Sequence, residues 1–140
     1  MDLIVDANIL FAALVKDGLS AELLFVDSLN LFSPDFIFEE YEAHKEEILD
    51  KTHRTDEEFF HLTEILKRQI TLIPLEQLSC FITEAESISP DPKDVPYIAA
   101  AMKLNAAIWS HDNHLKTQQR ITVYSTQEIH TLVNKAHDKK

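Results

Sequence analysis

What most constrains this chain is the shortness of its apolar runs. Leu3–Val5, Leu31–Phe32, Ile70–Ile73, Ala107–Ser110 and Ile121–Tyr124 are two to four residues long and are separated by stretches with helical spacing. Runs of this length read as buried strands, not helices. Strands alternating with helices predict an α/β domain: a three-layer α/β/α sandwich around a central, mainly parallel sheet of four to five strands. In such a sheet the strand ends open onto a shared crevice. Asp6 directly follows the first run, and Asp112 lies just past the Ala107–Ser110 run.

The intervening segments carry helix signals. Ala7–Val15 reads as a helix ended by a break at Asp17-Gly18, and Ser20 as the cap of a second helix whose apolar face is Leu23, Leu24, Val26 and Leu29. Ser33-Pro34 reads as the start of a helix running to about Asp50, with Ile37, Tyr41, Ile48 and Leu49 inward. Thr55 followed by Asp56, Glu57 and Glu58 opens another helix, buried through Phe59, Leu62, Ile65 and Leu66. Leu75–Glu86 and Val95–Leu104 are helical, the latter rich in small residues that suit close packing on a sheet. Asn113–Lys116 is a short helical turn, and Ser125-Thr126 caps a last helix that frays at Lys139-Lys140. The prolines of Ser89–Asp94 forbid helix there.

At 140 residues the chain has the length of one domain, residues 1–140. Its 13 Lys and Arg against 24 Asp and Glu give a net charge of −11. That argues against a protein that coats nucleic acid through a basic stripe. It leaves room for a nuclease, because metal ions reverse the sign of an acidic cleft locally. The lone Cys80 excludes an internal disulfide, and the single glycine, Gly18, excludes glycine-rich nucleotide loops. No apolar run approaches the roughly 20 residues of a membrane span, and the N-terminus lacks a basic signal-peptide region. The expected location is the cytoplasm.

Four acidic positions are placed to meet: Asp6, Glu40 with Glu39 as the alternative, Asp94 with Asp91 as the alternative, and Asp112. Each also has a plain structural reading. Asp6, Asp91 or Asp94, and Asp112 sit where helix caps sit, and Glu39 and Glu40 lie on an acidic helix. Asn8 and Ser110 flank the first and last acids and are candidates to orient substrate or water. Carboxylates gathered at one point repel one another unless a cation holds them, which suggests a divalent metal and hydrolysis of a phosphate ester. Lys16, Lys45, Lys93, Lys116 and Arg120 are candidate phosphate contacts.

These segments occur in an order that resembles the PIN domain over nearly the whole chain. Asp6-Ala7-Asn8-Ile9-Leu10 is similar to the family's opening segment, and Glu40 stands where its helix carries the second acid. Asp91–Ala101 is similar to the third-acid segment, and Ser110-His111-Asp112 to the Ser/Thr-x-Asp segment. The resemblance implies an α/β/α sandwich and a site dependent on Mg²⁺ or Mn²⁺, with Asp6, Glu40, Asp94 and Asp112 as catalytic and metal-binding residues. It also implies an RNA substrate and the role of a VapC-type toxin, in which case the partner would be a small antitoxin.

Other readings are weaker on the residues themselves. His111 and His114 have helical spacing, but no second histidine-bearing segment relates to them as a zinc site requires. A phosphatase using Asp6 as nucleophile wants a second aspartate where Asn8 stands. A degenerate PIN-like interaction module remains the non-enzyme alternative, with the Phe59, Phe60, Leu62, Ile65 face available to a partner or to a homodimer.

Overall fold

Alternation along the first strand decides the layering. In the computed structural model, which describes residues 1–15 and 18–138, β1 is Asp2–Val5. Leu3 and Val5 enter one core while Ile4 enters the other, because successive strand side chains point to opposite faces. Both faces are covered from Leu3 onward, so Leu3, Ile4 and Val5 are all apolar and buried, and only the leading Asp2 is exposed. Fully burying a side chain of this size stabilises by about 1.5–3 kcal/mol.

Four strands join it: β2 (Asn30–Pro34), β3 (Ile70–Ile73), β4 (Ala107–Trp109) and β5 (Val123–Tyr124). The order is β3-β2-β1-β4-β5, and every pairing is parallel. The sheet is therefore five-stranded and wholly parallel, with helices on both sides, as a three-layer α/β/α sandwich requires.

One face carries α1 (Ala7–Val15), α2 (Gly18–Leu24), α3 (Ile37–Ala43), α4 (Lys45–Thr52), α5 (Asp56–Gln69) and α8 (Thr126–Asp138). The other carries α6 (Ser79–Ile88) and α7 (Val95–Leu104). Helix α7 packs against β1, β2 and β4. Its Ala99, Ala100 and Ala101 are fully buried and let the helix lie close to the sheet. Asn105 in the left-handed region (φ 50°) ends it, taking up carbonyls of the last turn. Thr55 and Glu58 form the reciprocal capping box of α5, and Ser125 and Glu128 bond in the same way at the start of α8.

Several local expectations are corrected. Ser33 and Pro34 do not start a helix. They end β2, where the Ser33 hydroxyl donates to the Val5 carbonyl at 2.9 Å, and the helix begins at Ile37. The helix expected to reach Asp50 breaks at His44 into α3 and α4. Ser20 is no cap: α2 begins at Gly18 and stops at Leu24, and Ser20 is buried against Thr126. The first turn of Leu75–Glu86 is a 3-10 turn, Leu75–Leu78. The face expected to stay free for a partner is largely internal, since Phe59 is buried against Tyr41 and Leu62 and Ile65 are half-buried. Only Phe60 stands out from it. Lys16, Asp17, Lys139 and Lys140, named in the sequence reading, lie outside the described residues.

Candidate metal-dependent active site

The strand order changes direction at β1. The chain leaves β1 towards β2 through helices on one face, and leaves β4 towards β5 through a segment whose Leu115 packs into the opposite core. Connections that depart to opposite sides open a crevice at the carboxyl ends of the two strands. Asp6 is the first residue after β1, and its backbone N–H extends the ladder to the Trp109 carbonyl at 3.1 Å. Ser110 and Asp112 follow β4. Glu40 comes from α3 after β2, and Asp94 stands at the threshold of α7.

All four acids line one cavity of about 470 Å³. Ser110 is the joint between two of them. Its hydroxyl donates to the Asp6 carboxylate at 2.7 Å and accepts the Asp112 N–H at 3.0 Å. The Asn8 amide donates to Asp6 at 3.3 Å, while its oxygen accepts the His111 N–H at 3.3 Å. Asp112 also accepts the His114 N–H, so it caps the following turn and borders the crevice at once.

The structure separates the alternatives. Asp91 does the capping, accepting the Lys93 N–H at 2.9 Å, and leaves Asp94 free of that task. Asp94 is only 8% exposed, and its Oδ2 is buried with no hydrogen-bond partner. Glu39 and Glu40 are both exposed, but only Glu40 borders the cavity. Among the candidate cations, Lys45 pairs with Asp56, Lys116 with Glu128 and Arg120 with Glu84. Lys93 lines the crevice.

Burial and mutual repulsion raise Asp94, Asp6 and Glu40. Asp94 is pushed up to about 6, first by burial and then by the charges of Asp112, Asp6, Asp91 and Glu40. Burial raises Asp6 against the opposing bond from Ser110, and burial with the Asp6 charge raises Glu40. Sequence reasoning missed Tyr97, whose buried hydroxyl beside Glu40 makes no bond of regular geometry and whose phenol is pushed upward by burial and that carboxylate. It also missed His44 and Phe11, which border the same region. The signal was helical spacing: Tyr97 is three residues after Asp94, His44 four after Glu40, and Phe11 three after Asn8.

The donors are oxygens, which suits a hard cation such as Mg²⁺ or Mn²⁺ and not a thiolate- or imidazole-seeking ion. An orphaned Asp94 oxygen and carboxylates raised by burial and then by one another fit a bound cation. Among the described residues, no three His, Cys, Asp or Glu side chains stand ready-made as a ligand group. Mg²⁺ is commonly held by one or two carboxylates with its remaining positions filled by water, so the crevice fits that mode.

A wholly parallel α/β/α sandwich with an acidic cleft at its switch point defines the general class. The family model for the PIN domain matches residues 4–136, and the chain belongs to that family. PIN domains are generally divalent-metal-dependent nucleases. Comparison with curated proteins gives no match.

Proposed function

We propose that this chain is a divalent-metal-dependent endoribonuclease that hydrolyses RNA phosphodiester bonds at the crevice of Asp6, Glu40, Asp94 and Asp112. The observation that carries the reading is the meeting of these four carboxylates from four separate segments, one of them with a buried, unbonded oxygen. Asp6, Asp94 and Asp112 would hold Mg²⁺ or Mn²⁺, with Glu40 completing the set directly or through water. Such an ion, when bound, supplies Lewis-acid stabilisation and lowers the pKa of a water. Ser110 and Asn8 fix the Asp6 carboxylate, and Lys93 is the side chain placed to meet a phosphate oxygen. Water adds to phosphorus as the bond to the 3′-oxygen breaks, leaving a 5′-phosphate and, after proton transfer, a 3′-hydroxyl.

The test is cleavage of single-stranded and structured RNAs with Mg²⁺, Mn²⁺ or EDTA, comparing the natural sequence with Asp6→Asn. Metal-dependent cutting lost in the variant supports the assignment, and full activity in the variant sinks it. A degenerate interaction module is favoured by one observation, the absence of a ready-made ligand triad among the described residues. Neither cutting nor Mn²⁺ binding by calorimetry would establish that reading instead. A toxin role extends the nuclease reading. It calls for growth arrest on expression that Asp6→Asn abolishes and a small co-expressed partner relieves.

A further inference from the structure

A second cavity, of about 410 Å³, opens off the acidic crevice and shares Asp6 and Glu40 as its wall. Its far side is aromatic. The His44 ring stands edge-on to Phe11, with centroids 5.3 Å apart and planes at 60°. The side chain of His44 is 57% exposed, so a flat ligand can reach it. Below it lies Tyr41, only 1% exposed and backed by the stacked ring of Phe59 at 5.2 Å. The wall is therefore braced from within and open to solvent on the side that a ligand would approach.

The carboxylates of the rim, Asp6, Glu40 and Glu47, are acceptors, and the Lys51 ammonium stands 5.6 Å from the Phe11 ring centroid beside them. Glu47 lies at the mouth, its carboxylate steadied by Lys51 at 3.0 Å and by His44 at 3.5 Å. Each oxygen keeps lone-pair capacity beyond these contacts. Carboxylates repel a phosphate but welcome a neutral, flat ring that carries N–H groups. Single-stranded RNA offers such rings, stacked on aromatic side chains and read along their Watson–Crick edges.

Resting on the nuclease reading of the crevice, we propose that this cavity binds one nucleobase of the RNA next to the scissile phosphate, and that Glu47 selects guanine. Guanine alone among the four bases presents two adjacent donors, N1–H and the N2 amino group, on its Watson–Crick edge, and these match the two oxygens of one carboxylate. Adenine and cytosine pair a donor with a ring acceptor, and uracil flanks its single N–H with carbonyls. Either arrangement turns an acceptor towards Glu47.

The first arm of the test needs neither metal nor cleavage. The protein is titrated with the neutral nucleosides guanosine, adenosine, cytidine and uridine, following the NMR signals of His44 and Phe11. Guanosine is expected to shift both at concentrations about tenfold lower than the others. His44→Ala, at an exposed position, should weaken guanosine binding by about tenfold, and Glu47→Gln should erase the preference. No shift with any nucleoside overturns the base site, and equal shifts with all four overturn the selection by Glu47. The second arm maps cut positions in a randomised RNA. Guanine at one fixed position beside the cut, relaxed in Glu47→Gln, supports the proposal, whereas cuts indifferent to sequence overturn it. RNA left uncut while guanosine still shifts His44 would condemn the nuclease reading and leave the base site standing.

Discussion

The Ser110 hydroxyl donates to the Asp6 carboxylate at 2.7 Å, joining residues 104 apart in the chain across the ends of β1 and β4. The same hydroxyl accepts the Asp112 N–H, so one oxygen sets the spacing between two acids. Removing it in Ser110→Ala frees the Asp6 carboxylate to turn and raises its proton affinity. Groups that orient metal ligands typically affect metal affinity by about 10–100-fold. Mn²⁺ titration calorimetry should show a loss of at least about tenfold with the circular dichroism spectrum retained. Unchanged affinity would mean that Ser110 is a structural residue alone.

Asp94 makes the metal-free protein sensitive to pH. Its carboxyl titrates near 6 when folded and near the ordinary 3.8 when unfolded. Between those values the folded chain keeps a proton that the unfolded chain has lost, so stability drains away as pH rises through that window. Asp94→Asn has no such proton to lose. In EDTA its melting temperature should match the natural sequence near pH 4 and exceed it by about 2–5 °C above pH 6. A constant difference across the range would refute the assignment of the raised carboxyl to Asp94.

Protons and divalent cations should compete for the same oxygens. Mn²⁺ affinity is expected to be level above about pH 7 and to fall as pH drops through about 6, where Asp94 takes up its proton. Calorimetry at pH 5, 6 and 7 checks this, together with the proton release that buffers of different ionisation enthalpy reveal. Binding insensitive to pH would exclude Asp94 from the ligand set.

Thr126 is the hub beneath the loop that carries Asp112. Its hydroxyl meets the Trp109 indole N–H at 3.0 Å, Ser20 at 2.9 Å and the His111 ring at 2.7 Å. Thr126→Val keeps the shape but leaves a buried indole N–H without its partner, which costs about 1–3 kcal/mol. Urea denaturation should show that loss with an unchanged slope. A neutral result would mean that water enters to take the hydroxyl's place.

The sheet was legible because short apolar runs between helical stretches leave few other solutions, and the helices because their caps at Thr55 and Ser125 are local chemistry. Ser33-Pro34 misled for the opposite reason. The same pair that starts a helix in isolation is claimed here by pairing with Leu72 and Ile73 of β3 and by the bond of the Ser33 hydroxyl to Val5, which no local signal encodes. The meeting of the acids could be anticipated from their placement after strands. The choice between Glu39 and Glu40 depends on helix phase, which the true start at Ile37 fixes. The division of labour between Asp91 and Asp94 depends on which one a short turn leaves unbonded. The aromatic extension stayed hidden because Phe11 and His44 come from helices whose packing angle sequence does not specify.

Strand β1, the first part of the sheet to be made, lies between β2 and β4, and β4 arrives about a hundred residues later. Asp6 therefore waits through most of synthesis without Ser110 or Asp112 beside it. Whatever chemistry the crevice performs is withheld from a nascent or truncated chain and switches on only when β4 closes against β1. Loss of activity on mild denaturation should accordingly track the separation of those two strands, making the site a built-in reporter of whether the sheet is whole.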